Sequence, residues 1–231
     1  MAIDESRKKS RVRFKENITI NKQAMAHCAN ISSGGLFIYT QQTADPGTLV
    51  ELSFPVDNLT MNVEASVQHY HKGVGIGVMF VHQTEEQRNM LDSFIDNQEM
   101  KQSGSRKYAI LLIDDNEEKR GLYRTALTQA GFSVLEAGSD EKAFEILNSS
   151  KVDMVVFDPC IQPLGKGFMI LSKIRMNPQW RKILPVVLSS RPLPQDKIKR
   201  FFPAVRHILM KMTTSPFRLQ QIVDKYLATI K

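Results

Sequence analysis

Ala109-Ile110-Leu111-Leu112-Ile113-Asp114-Asp115 is the stretch on which the reading of this chain turns. Five apolar residues, too few for a helix, end at two adjacent carboxylates. The pattern recurs downstream. Val152 through Phe157 ends at Asp158, Pro185-Val186-Val187-Leu188 at Ser189-Ser190, and His207-Ile208-Leu209-Met210 at Lys211. Between these runs lie apolar positions at helical spacing, such as Leu122, Tyr123, Ala126, Leu127 and Ala130. Short apolar strands alternating with amphipathic helices predict an α/β fold, a five-stranded parallel sheet doubly wound by right-handed crossovers. Ligands of such sheets bind outside the carboxyl ends of the strands. The polar residues that end the runs therefore converge on one edge of the sheet.

Carboxylates gathered that closely repel one another unless a hard cation sits among them. Oxygen ligands with few fixed partners suit magnesium, which keeps several of its waters. A carboxylate can attack phosphorus when magnesium and an ammonium neutralise the charge on the transferring oxygens.

From about Lys107 to Lys231 these residues resemble the receiver domain of two-component response regulators. The resemblance implies that Asp114 and Asp115 hold Mg2+ together with Asp158 and the backbone carbonyl of Cys160. It implies that Asp158 accepts a phosphoryl group whose oxygens are bound by Lys211 and by Ser189 or Ser190. Counting from Pro185 favours Ser190, whereas crowding by Arg191 in the next position favours Ser189. The family's proline and glycine after the acceptor are each one residue late here, at Pro163 and Gly167. Its proline after the lysine is Met212, and its switching aromatic is Ile208. A phosphatase of the haloacid dehalogenase type would want a second aspartate two residues after Asp158, where this chain has Cys160.

The first hundred residues differ in character. Arg7, Lys8, Lys9, Arg11, Arg13 and Lys15 crowd a basic leader. Short β-prone segments follow, at Ile18 to Ile20, Leu36 to Thr40, Leu49 to Phe54, Met61 to Val67 and Gly75 to Val81, broken by Gly, Pro, Asn and Asp. They predict a small antiparallel barrel or sandwich. Thr84-Glu85-Glu86-Gln87 reads as a capping box that opens a closing helix, with Met90, Leu91, Phe94 and Ile95 on one face. A polar linker, 99–106, then separates a barrel over 1–98 from the sheet domain over 107–231.

Arg7 and Arg11 stand four apart, and Asn30-Ile31-Ser32-Ser33-Gly34-Gly35 sets short polar side chains beside a glycine pair. Guanidinium groups grip phosphate and stack on flat rings. Asn and Ser read base edges, and glycines admit a ligand to the backbone. Together with Gly75-Ile76-Gly77-Val78-Met79-Phe80, these residues resemble the PilZ domain over about Ile3 to Gln98. That resemblance implies cyclic di-GMP as ligand, with Arg7, Arg11, Asn30, Ser32 and Gly35 as its contacts. His69 and His71, two apart on one strand face, form a possible metal pair, although an ordinary strand face is the better reading.

A net charge of +7 is unevenly placed: residues 1–103 hold 10 Lys+Arg against 12 Asp+Glu, and residues 104–231 hold 21 against 12. The default reading of the excess is solvated surface charge; an acidic protein partner comes next and a nucleic acid after it, since no DNA-reading module is expected. No apolar run reaches the roughly eighteen residues of a membrane span. The start, Met1-Ala2-Ile3-Asp4-Glu5, is no signal peptide. Cys28 and Cys160 are too few for a disulfide framework, which points to the cytoplasm. By family resemblance the partners are cyclic di-GMP, a cognate histidine kinase or phosphotransfer protein, and a motility, pilus or polysaccharide target. The chain reads as a signalling adaptor and not as a conventional enzyme. The competing reading is an interaction scaffold with a degenerate barrel or a pseudo-receiver.

Overall fold

The computed structural model describes residues 10–102, 108–161 and 166–230. The chain divides into two compact units, with the boundary between Arg106 and Lys107.

The first unit is a closed antiparallel barrel. Its strands are β1 (Val12–Arg13), β2 (Asn17–Ile20), β3 (Ala24–Ser32), β4 (Gly35–Tyr39), β5 (Leu49–Val56), β6 (Leu59–His71) and β7 (Gly75–Val81). They follow the order β1-β3-β2-β5-β6-β7-β4, and pairing of β4 with β3 closes the ring. Alternation sorts the side chains. Ile31, Leu36, Val78 and Val67 form one inward row across β3, β4, β7 and β6, and all four are buried. Phe14 meets Phe54 edge-on at 6.1 Å, and Phe54 stacks on Phe80 at 5.7 Å.

Strand β3 was not among the expected segments, because Ala24-Met25-Ala26-His27-Cys28-Ala29 carries little β-propensity. Closure of the barrel, which needs a strand between β1 and β2 on one side and β4 on the other, overrides that weak local signal. Strand β6 also runs further than Met61 to Val67.

Helix α1 (Glu85–Gln102) opens as expected. The Gln87 amide donates to Thr84 Oγ1 at 3.1 Å and the Thr84 amide to Gln87 Oε1 at 3.0 Å. Leu91, Phe94 and Ile95 enter the barrel core, Phe94 lying edge-on to Phe14 at 5.7 Å. The helix runs on to Gln102, so 99–102, expected as linker, is helical. Glu99, Met100, Lys101 and Gln102 are all good helix formers, and nothing in the segment breaks the helix.

The second unit alternates β8 (Ala109–Ile113), α2 (Glu117–Gln129), β9 (Ser133–Ala137), α3 (Asp140–Ser149), β10 (Met154–Phe157), α4 (Lys166–Met176), β11 (Leu184–Ser189), α5 (Gln195–Phe201), β12 (His207–Met210) and α6 (Pro216–Leu227). The sheet is parallel in the order β12-β11-β10-β8-β9. Central strands β8 and β10 are covered on both faces, which is why they read as continuous apolar runs. The chain leaves β8 toward β9 on one side and continues through β10 on the other. The topological switch point, where such sheets hold ligands, therefore lies between Asp114 and Asp158.

Candidate functional site

Asp114 and Asp158 end neighbouring strands, one residue beyond the paired positions Ile113 and Phe157. Both are buried, at 1% and 2% exposure. Lys211, one residue past β12, reaches back between them: Nζ lies 2.5 Å from Asp114 Oδ2 and 2.7 Å from Asp158 Oδ2. Its backbone amide is fixed by the Ser189 carbonyl at 2.9 Å. Ser190 donates its hydroxyl to Asp158 Oδ2. The Cys160 amide donates to Asp158 Oδ1 at 2.8 Å.

Burial alone would push the Asp158 carboxyl up. The Lys211 ammonium, the Ser190 hydroxyl and the Cys160 amide outweigh it and hold the group below its ordinary value. Asp158 thus stays ionised.

The two serines do different things. Ser189 is buried, donates to the Arg191 carbonyl at 2.7 Å and accepts from the Arg191 amide at 3.1 Å. That turn swings Ser190 over the carboxylate. Asp115 is exposed at the same edge. Among the described residues, no three His, Cys, Asp or Glu side chains are already gathered as a metal cage. The donor set at this edge is nonetheless all oxygen, and one ammonium against two buried carboxylates leaves net negative charge, which fits a hard cation. Met212 is 86% exposed beside Lys211, Ile208 packs against the core, and Gly167 lies in α4. Pro163 lies outside the described residues.

Two supporting residues were not among the expected site residues, because their partners lie across the fold. Arg120 donates to the Asp114 carbonyl at 2.6 Å and pairs with Glu136 at 3.2 Å, tying α2 to the ends of β8 and β9. Tyr123 donates to the Thr214 carbonyl at 3.0 Å, and burial first, then Asp114, pushes its hydroxyl up to about 12.

On the barrel, Arg11 Nη1 donates to Asn30 Oδ1 at 2.6 Å, so the leader arginine meets the strand motif. Arg11 itself is exposed, while Asn30 and Ser32 are buried. Ser32 donates to the Gly35 carbonyl at 3.1 Å. A Cβ on Gly35 would lie 2.0 Å from the Val78 carbonyl oxygen, so the close approach of β4 to β7 requires glycine there. Arg7 lies outside the described residues.

A switch-point edge bearing an acid pair, a buried acid, a hydroxyl and a lysine defines a signalling receiver, and the barrel before it is a second module. The chain unites a PilZ domain, matched over residues 5–97, with a response regulator receiver domain, matched over residues 110–224. It therefore belongs to the PilZ family through its first unit and to the response-regulator receiver family through its second.

It is similar to "Probable transcriptional regulator ycf29" of Cyanophora paradoxa, 28% identical over 114 residues, 49% of this chain and 52% of that protein. It is also similar to "Probable chemotaxis protein CheY" of Rhizobium etli, 30% identical over 86 residues, 37% of this chain and 66% of that one. A response regulator structure from Thermotoga maritima covers 53% of this chain and 99% of its own, with 21% identity and TM-score 0.46. The chain spans about half the length of the first curated relatives it matches. No described helix is long and apolar enough to cross a membrane.

Proposed function

We propose that this chain joins two inputs, cyclic di-GMP on the barrel and a phosphoryl group on Asp158, and passes them on by protein contact. The observation that carries the reading is the set of groups gathered on one carboxylate. A lysine and a hydroxyl from two other segments, and the amide of Cys160 two residues further on, all reach Asp158.

In the proposed reaction an Asp158 oxygen attacks the phosphorus of a phosphoimidazole donor on the kinase or phosphotransfer partner. The P–N bond breaks as the O–P bond forms, and the imidazole leaves and takes up a proton. Lys211 and Ser190 turn from Asp158 to the phosphoryl oxygens. Asp114, Asp115, Asp158 and the Cys160 carbonyl would hold magnesium, which when bound neutralises charge on the transferring oxygens.

On the barrel, the Arg11–Asn30 bond supports the ligand reading. It holds a guanidinium, suited to phosphate and to base faces, beside an amide suited to a base edge. The output is contact with motility, pilus or exopolysaccharide machinery in the cytoplasm. Names such as the "Gliding motility regulatory protein" of Myxococcus xanthus among the relatives support that assignment.

Beryllofluoride with magnesium, a mimic of the acyl phosphate, tests the receiver half. It is expected to shift amide resonances around Asp158, Ser190 and Lys211, and Asp158→Ala is expected to abolish the shift. No shift in the wild type at saturating magnesium overturns phosphorylation and favours the scaffold. Calorimetric titration with cyclic di-GMP tests the barrel half, with Arg11→Ala expected to weaken binding roughly ten- to hundredfold.

A further inference from the structure

Positive charge is concentrated in one part of the second unit. Residues 166–205 hold nine Lys and Arg against a single Asp, +8 of the +9 that residues 104–231 carry. The stretch comprises α4, β11, α5 and the segments that join them. Leu171 and Ile174 of α4 and Ile198 of α5 enter the same core, so the two helices cover one face of the sheet.

An apolar cleft of about 90 Å³ opens between the last turns of α4, the residue before β11 and the segment after α5. Ile183 enters β11 at its amino end, whereas Asp158 leaves the parallel strand β10 at its carboxyl end. The cleft and the carboxylate therefore lie at opposite ends of the sheet. Ile174, Ile183 and Phe202 line the cleft, and Phe202 is held there by stacking on Phe168 at 6.1 Å. Arg175 and Arg181 line it too, and both are exposed. Among the described residues no carboxylate lines it.

Size and charge select the occupant. Cofactor and small-molecule sites run to roughly 300–1,000 Å³, so this cleft is too small to be one. It equals the liquid volume of about three waters, ~30 Å³ each, which is room for one apolar side chain. Guanidinium groups at its mouth favour carboxylates on either side of that side chain. A nucleic acid would use the charge and leave the cleft empty. A bilayer takes up a protruding apolar face, and this one is concave.

We propose that the cleft between α4 and α5 is a docking site for an acidic segment of a partner protein. One aliphatic or aromatic side chain of that segment fills the cleft, and its flanking carboxylates meet Arg175 and Arg181. This gives the proposed output by protein contact a place on the molecule. It needs neither cyclic di-GMP nor a phosphoryl group, so its failure is distinguishable from failure of either input.

The test is selection of random phage-displayed peptides against the full chain, followed by titration of the enriched peptides. Fluorescence of Trp180, the chain's only tryptophan and the neighbour of Arg181, reports binding. The enriched sequences are expected to share one large apolar residue flanked by Asp or Glu. Ala204→Leu, at an exposed position of the lining, fills the cleft and is expected to weaken binding at least roughly tenfold, as is Arg181→Glu. Arg218→Glu, the same change of charge made in α6, is expected to stay within about threefold of wild type. Failure to enrich any peptide, enrichment of sequences without acids, or equal binding by Ala204→Leu and wild type overturns the proposal. So does binding of single-stranded RNA or phosphatidylglycerol vesicles where no peptide binds, which assigns the charge to a nucleic acid or a bilayer. If sedimentation shows a wild-type dimer that Ala204→Leu dissociates, the occupant is a second copy of this chain and the partner assignment falls.

Discussion

Tyr123 in α2 donates its hydroxyl to the carbonyl of Thr214 at 3.0 Å, and both residues are buried. Thr214 lies three residues past Lys211, in the turn between β12 and α6. The bond therefore anchors the segment whose lysine reaches the two aspartates. Tyr123→Phe leaves the Thr214 carbonyl without this donor, at a cost of about 1–3 kcal/mol. The expected outcome is a lower urea midpoint with an unchanged slope, together with weaker beryllofluoride binding. Weaker binding without lost stability would place the effect at the site alone.

Lys211 separates two buried carboxylates. Lys211→Met removes the ammonium and leaves Asp114 and Asp158 facing each other. Loss of one member of such a buried cluster costs about 3–5 kcal/mol. Adding Asp158→Asn removes one of the two charges, so the double variant is expected to recover a large part of that loss. Equilibrium denaturation of the two single variants and the double variant measures the coupling. Additive losses would mean that the carboxylates do not feel each other.

Which of these features could be read beforehand follows from where the signal resides. Strands β8, β10 and β11 were legible because burial on both faces turns them into apolar runs, and the residues ending those runs had to meet at one edge. Thr84 and Gln87 were legible because a capping box is a local pattern. Strand β3 was not, since its alanines carry no β signal and only barrel closure demands it. Arg120 and Tyr123 were hidden because their partners, the carbonyls of Asp114 and Thr214, belong to backbone brought near by the fold. Counting from Pro185 pointed to Ser190, which does reach Asp158, but only the turn in which Ser189 bonds Arg191 on both sides separates it from Ser189.

Gly35 lies in the strand motif, and its tolerance can be tested apart from any ligand. With backbone oxygen of Val78 only 2.0 Å from where a Cβ would sit, β4 and β7 must part to admit even alanine. Overpacking of this kind costs about 1–3 kcal/mol. Gly35→Ala is expected to lower the thermal midpoint of the barrel before any ligand is added. Gly47→Ala offers a contrast: its Cβ would meet nothing within 4 Å, so its cost comes only from its φ of +90°. Equal melting of Gly35→Ala and wild type would contradict the close approach of the two strands.

The barrel should also weaken in mild acid, and His69 sets the direction. Burial, His71 and Arg11 hold its folded-state pKa below the ordinary 6.5. The unfolded chain therefore takes up a proton at a higher pH than the folded barrel does. Stability is full above about pH 6.5 and is lost as pH falls from there through the lower folded-state value. His207 in β12, depressed by burial, Arg206 and Lys225, gives the second unit a dependence of the same sign. Hydrogen exchange of β6 and β7 amides between pH 7.5 and 5.5, corrected for intrinsic rates, should show falling protection. His69→Gln, which cannot take up the proton, should flatten that trend in the barrel and leave the β12 trend intact. A barrel whose protection is unchanged across this range, or rises, would show that His69 is charged in the folded state and that Arg11 does not oppose it.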